Sequence, residues 1–121
     1  MHINLEAGEQ NAVQAYSEKQ IQINSIIYER SLIVSRAEII TEVAIKNIFE
    51  INDAYLEQLL KFKPELIILG HNNKGMFPPM SIIAQLSQHR IGVECMSIGA
   101  ACRTYNVLLS EHRSVTAGFI F

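Results

Sequence analysis

The run Leu66-Ile67-Ile68-Leu69, closed by Gly70, limits the possible folds more than any other stretch of the chain. Side chains of a strand alternate between its two faces, so four consecutive apolar residues need cover on both sides. That is the pattern of a central strand in a sheet layered between other elements. A functional loop is expected at its carboxyl end, where open α/β sheets bind ligands.

The flanking segments supply the cover. Asn52 and Asp53 are suited to cap a helix with Tyr55, Leu56, Leu59 and Leu60 on its apolar stripe, stopped by Pro64 and ending near Phe62. After Pro78-Pro79, Met80, Ile83 and Leu86 recur at helical spacing, and Gly92 closes that helix before a short strand, Val93 to Met96. Gly99-Ala100-Ala101 opens a third helix carrying Val107, Leu108 and Leu109, and Val115 to Phe121 supplies a terminal apolar strand.

Upstream, between Val13 and Val43, apolar and polar residues often alternate, as in Ile21-Gln22-Ile23-Asn24. With turns at Asn24-Ser25 and Glu29-Arg30-Ser31, this reads as short antiparallel strands. The fold expected is α/β, one three-layer domain over residues 1–121 with a mixed sheet, antiparallel strands first and alternating helices and strands after them. The early strands either extend the sheet or pack a second one against it. No local pattern encodes strand order or a homo-oligomer.

Composition then removes several function classes. With 49% hydrophobic and 18% charged residues and a net charge of -2, the chain is neither a disordered tail nor a basic nucleic-acid binder, and no nucleic acid is expected as a partner. No apolar run approaches the roughly 20 residues that cross a bilayer, and the start Met1-His2-Ile3-Asn4-Leu5-Glu6 lacks a basic segment followed by an apolar one. Stable membrane insertion is not expected, and a cytoplasmic location is. Cys95 and Cys102 are too few for a disulfide scaffold and would stay thiols in a reducing compartment, although their spacing does not exclude pairing.

Three segments together resemble the complex I assembly factor 3-like family of small α/β domains. They are Lys63-Pro64-Glu65-Leu66-Ile67-Ile68-Leu69-Gly70, then Phe77-Pro78-Pro79, then Ile91-Gly92-Val93-Glu94 running into Gly99-Ala100-Ala101-Cys102-Arg103-Thr104-Tyr105-Asn106. The last is the most specific, and the match before about Ile51 is only a strand pattern. The resemblance implies the α/β fold. It also implies a kinship with a mitochondrial protein that helps assemble respiratory complex I, while bacterial members generally lack an assigned reaction. The family usually has a second glycine two positions after the strand-end glycine; here that place is Asn72, a residue able to take positive φ.

Candidate site residues fall in three groups. In the first turn expected for the third helix, Cys102 is a candidate nucleophile with His71 as its base, and Arg103 and Thr104 are candidates to hold a small anion at the positive end of the helix. The favoured alternative is that Arg103 pairs with Glu94 or Glu111 while Cys102 fills core space as a small apolar residue. The loop Gly70-His71-Asn72-Asn73-Lys74-Gly75 offers Gly70, Asn72, Asn73 and Lys74 as ligand contacts, but it lacks the Gly-Lys-Ser/Thr ending of a P-loop and the dinucleotide glycine pattern. Phe77, Pro78 and Met80 either present an apolar edge to a partner protein or set the entrance of a helix.

His2, His71, His89 and His112 are scattered without ligand spacing, so neither a metal nor another cofactor is expected. Glu6, Glu9, Asp53, Glu57 and Glu65 read as helix-start or surface charges, with no acid/base pair among them. The function read from the sequence is a non-enzymatic protein-interaction or assembly domain. The alternative is a small anionic-ligand domain, or a modest enzyme, using the Gly70–Gly75 loop and the Cys102/Arg103 helix start.

Overall fold

The computed structural model describes residues 3–4 and 9–121, so His2 and Glu6 lie outside the described residues. Strands β1 (Ile3–Asn4), β2 (Val13–Tyr16), β3 (Ile21–Ile23) and β4 (Ile26–Tyr28) pair in that order as an antiparallel sheet. Asn24 and Ser25 make the β3–β4 turn with both φ angles positive, 53° and 65°, the geometry that matches the twist of a two-residue hairpin.

A second sheet follows. Its strands are β5 (Leu32–Ser35), β6 (Ile39–Ile40), β7 (Leu66–His71), β8 (Gly92–Met96) and β9 (Val115–Ile120), in the order β6-β5-β9-β7-β8. β7 runs parallel to both of its neighbours, β8 and β9, whereas β5 is antiparallel to β9 and β6. The early strands therefore do both things the sequence allowed: four make their own sheet, and two extend the main one.

Helices α1 (Asp53–Leu60), α2 (Met80–Gln88) and α3 (Ile98–Ser110) complete the layers. Ile67 and Leu69 of β7 face one core, shared with Tyr55, Leu56 and Leu59 of α1 and with Ile82 and Leu86 of α2. Ile68 faces the other, shared with α3 and with Val13, Tyr16, Ile21 and Ile23 of the small sheet. The apolar run is thus covered on both faces, and each fully buried aliphatic side chain contributes roughly 1.5–3 kcal/mol.

Helix α3 sits close to the main sheet because small residues meet there: a Cβ on Gly70 would fall 2.7 Å from the Cβ of Ala101. From that position α3 grips the small sheet. The Asn106 amide accepts from the Val13 N–H and donates to the Val13 carbonyl, both at 2.9 Å, and the Tyr105 hydroxyl donates to the Asn11 carbonyl at 3.0 Å. Asn106 thereby stands in for a strand partner along the backbone of β2.

Several local expectations shift. Helix α1 keeps its Asn52 cap, which accepts from the Tyr55 N–H at 3.0 Å, but ends at Leu60, and the left-handed Lys63 (φ 50°) turns the chain before Pro64. In α2 the buried stripe is Ile82 and Leu86; Met80 projects into solvent and Ile83 is only half-buried. Left-handed Arg90 (φ 57°) reverses the chain after α2, and Gly92 is already the first residue of β8. Val107 is exposed, because the buried stripe of α3 runs through Ile98, Ala101, Cys102, Tyr105, Leu108 and Leu109.

Two polar side chains give opposite expectations for stability. The Tyr55 hydroxyl is buried without a hydrogen-bond partner, so Tyr55→Phe removes an unsatisfied group and is expected to raise stability by about 1 kcal/mol. Asn106→Ala strips both backbone groups of buried Val13 of their partner and is expected to cost about 2–4 kcal/mol. Urea midpoints of the two variants on opposite sides of the wild type would confirm both assignments; a shift in the same direction would refute one of them.

Candidate site: a crevice at the carboxyl ends of two parallel strands

Helix α2 carries the chain from β7 to β8 across one face of the main sheet, and α3 carries it from β8 to β9 across the other. The loops leaving the adjacent strands β7 and β8 therefore part to opposite sides, and a crevice opens between them, as expected where an open sheet reverses its winding. The crevice encloses about 470 Å³ and is lined by His71, Asn72 and 74–77 after β7 and by Cys95, Met96 and Ser97 at the end of β8. A second cleft of about 310 Å³ adjoins it through Asn72 and Ser97 and reaches Tyr16, Glu18, Gly99 and Arg103.

The residues expected to act together are divided between different tasks. Gly70 lies inside the sheet, where it lets α3 approach. Asn73 braces the loop: its side chain accepts from the Ile48 N–H at 2.8 Å and donates to Asn47 Oδ1 at 3.0 Å, tying the loop to the 3-10 turn at Ile48–Glu50. The Asn72 amide donates to the Glu18 carbonyl at 2.7 Å; although able to take positive φ, Asn72 does not, and the loop's positive φ falls at Gly75, at 76°. Lys74 is exposed on the crevice wall.

Helix α3 begins at Ile98, capped by the Ser97 side chain that accepts from the Ala100 N–H, so Cys102 and Arg103 fall in its second turn rather than its first. Cys102 is fully buried and lines neither cleft. Burial pushes its thiol up to about 12 against the opposing pull of Arg103, which leaves no thiolate for attack at neutral pH. Arg103 forms no ion pair with Glu94 or Glu111; its guanidinium donates to the Tyr16 hydroxyl and lies 5.9 Å from the centre of the Tyr16 ring. Thr104 donates to the Met96 sulfur at 3.4 Å. Pro78 is buried at the entrance of α2, while Phe77 and Met80 on either side of it are exposed.

His71 belongs to the crevice. The Asn73 N–H donates to its Nδ1 at 3.1 Å, so the neutral ring carries its proton on Nε2. Partial burial holds its pKa below the ordinary 6.5. The crevice residues Cys95, Met96 and Ser97 give no local signal in the sequence, since only the parallel pairing of β7 with β8 brings them beside residues 71–77. Among the described residues, no three His, Cys, Asp or Glu side chains group to hold a metal.

Two solution measurements follow. In native protein at neutral pH, a chromogenic disulfide reagent is expected to label Cys95 alone, with Cys102 reacting only on unfolding; prompt labelling of both thiols would contradict the burial of Cys102. The folded pKa of His71 lies below its unfolded value, so its neutral form is favoured in the native state and stability falls as pH drops below about 6.5 through the folded pKa. An NMR titration of the imidazole with a midpoint at or above 6.5 would contradict that direction.

Comparison with known proteins gives this geometry its context. The family described as "Protein of unknown function (DUF498/DUF598)" matches residues 13–120. The "13 kDa major membrane protein" of Francisella tularensis subsp. holarctica (strain LVS) is 33% identical over 90 residues, 74% of this chain and 73% of that protein. Among the described residues of the present chain, no helix is long and apolar enough to cross a membrane. The NMR structure of a Xanthomonas campestris protein superposes with a TM-score of 0.78 at 27% identity, covering 99% of this chain and 84% of that one. A Bordetella pertussis protein described as a Mth938-like domain gives 0.77 at 22% identity, over 98% and 90% of the two chains, a likeness of fold alone. The matched span takes in both sheets from β2 onward, all three helices and the switch-point crevice, and the chain belongs to the DUF498/DUF598 family of proteins of unknown function.

Proposed function

We propose that this chain is a non-enzymatic protein-interaction module that serves the assembly of a larger complex, docking its partner on the apolar rim of the β7–β8 crevice. One observation carries the reading: Phe77 and Met80 are 73% and 80% exposed beside Met76, itself 45% exposed on the crevice wall. Large apolar side chains left in water at neighbouring positions mark a contact surface more often than isolated ones do. Two of the chain's four methionines, Met76 and Met96, line this crevice and a third, Met80, is exposed at the start of α2; flexible thioethers mould themselves to a partner's side chains.

The likeness to the complex I assembly factor 3-like family supports an assembly role. The anionic-ligand reading has less to work with, because Cys102 is buried, Asn73 is committed to the loop and Arg103 donates to Tyr16. We place the module in the cytoplasm, where Cys95 and Cys102 would remain the free thiols they are in the structure. The Francisella relative bears the name of a membrane protein. For this chain we read any such association as indirect, through a membrane-resident protein partner.

A photo-crosslinking residue placed at exposed position 84 of α2, one helical turn from Met80, is expected to capture a defined partner in the source cell. Phe77→Ser combined with Met80→Ser should reduce that capture by roughly tenfold or more, the scale of losing interface anchors. Both side chains are exposed, so the folding stability of the double variant should stay within about 0.5 kcal/mol of wild type. Equal capture by wild type and variant would remove this surface from the proposal.

A further inference from the structure

The walls of the crevice carry an asymmetry of charge and hydrogen bonding. Among the described residues no carboxylate lines it, while Lys74 supplies an ammonium group and Asn72 an amide, one N–H of which is already donated to the Glu18 carbonyl. His71 adds an N–H: its Nδ1 is occupied by the Asn73 N–H, so even the neutral ring presents Nε2–H as a donor. The Ser97 hydroxyl oxygen accepts from the Ala100 N–H, leaving its own proton free to donate. As the cap of the thirteen-residue helix α3, Ser97 also brings the positive end of that helix to the crevice wall. Met76, Phe77 and Met96 supply its large apolar side chains, and Gly75 and the Cys95 thiol complete the lining.

Donors and a cation around an apolar floor complement a group that is itself apolar and ends in a carboxylate. We propose that the crevice captures the carboxyl terminus of a partner protein that ends in a large apolar residue, with the side chain against Met76, Phe77 and Met96 and the terminal carboxylate at His71 and Lys74. This deepens the docking function above and rests on it. A volume of about 470 Å³ suits one large side chain with its carboxylate. The exposed Phe77 and Met80 extend the apolar surface past the crevice, where the preceding residues of a polypeptide would lie and where a free fatty carboxylate would leave them in water. Recognition of a carboxyl terminus by convergent donors is an established mode of peptide binding.

The test uses the full chain and a fluorescein-tagged short peptide ending in leucine with a free carboxylate, beside the same peptide amidated, both followed by anisotropy to millimolar protein. The free acid is expected to bind at least about tenfold more tightly than the amide. Lys74→Gln and His71→Asn should each narrow that ratio, the asparagine keeping an acceptor for the Asn73 N–H while losing the Nε2–H donor. Phe77→Ser should weaken acid and amide alike and leave the ratio in place. Equal affinity for acid and amide, a ratio untouched by both crevice variants, or binding of decanoate without binding of the peptide would each overturn the proposal. If the peptide fails while the Phe77- and Met80-dependent crosslink persists, carboxyl-terminal capture is wrong and the docking surface stands; loss of both sinks the two together.

Discussion

The approach of α3 to β7 is the constraint on which the rest of the structure depends. Because Gly70 has no side chain and Ala101 only a methyl, the helix axis can lie low on the sheet, with a Cβ on Gly70 falling 2.7 Å from its neighbour. At that depth Tyr105 meets Phe119 edge-on at 6.4 Å and still reaches the Asn11 carbonyl, while Asn106 reaches both backbone groups of Val13. A larger residue at either position would collide across this contact and push α3 away from β7. Gly99, two residues earlier on the helix, allows a second close approach, this one to the small sheet, where a Cβ would lie 2.8 Å from the Tyr16 ring. The motif Gly99-Ala100-Ala101-Cys102-Arg103-Thr104-Tyr105-Asn106, the most specific part of the family likeness, therefore reads in the structure as the fastening between two sheets.

That fastening also shapes the crevice. Ser97 caps the helix and lines both clefts, and the Thr104 hydroxyl two turns along reaches the sulfur of Met96. On the opposite wall the loop after β7 is braced by Asn73 and by the bond from Asn72 to the Glu18 carbonyl, so its backbone is fixed while its apolar side chains stay in water. A fixed frame presenting adaptable methionines is a combination suited to holding a segment of another chain.

How much of this could be read in the sequence varies from element to element. β7 and α1 were legible because continuous apolar residues and an asparagine cap are local signals with one dominant interpretation. In α2, adjacent Ile82 and Ile83 allow two stripes that share Leu86; the sequence spacing favoured the one through Met80 and Ile83, whereas the fold buries Ile82 and leaves Met80 in water. The burial of Cys102 had a signal: it lies on the stripe Ile98, Ala101, Cys102, Tyr105, Leu108, Leu109, with Arg103 just outside. The partner of Arg103 had none, since Tyr16 is 87 residues distant and joins it only through the packing of two sheets. The crevice was half legible, as a loop after a buried strand; its other wall depends on strand order, which no short pattern encodes.

The position of β9 in the main sheet has a consequence during synthesis. β9 lies between β5 and β7 and, among the described residues, is the strand that joins the main-sheet strands before α1 to those after it, yet it is built from residues 115–120. The Asn106 contact that fixes the small sheet likewise spans 93 positions. A ribosome adding roughly 5–20 residues each second delivers β5, with its four buried residues, several seconds before the strand that pairs with it on that side. Through that interval the nascent chain carries two apolar edges awaiting the same late strand, so the folding of this protein is timed by the arrival of its final described strand.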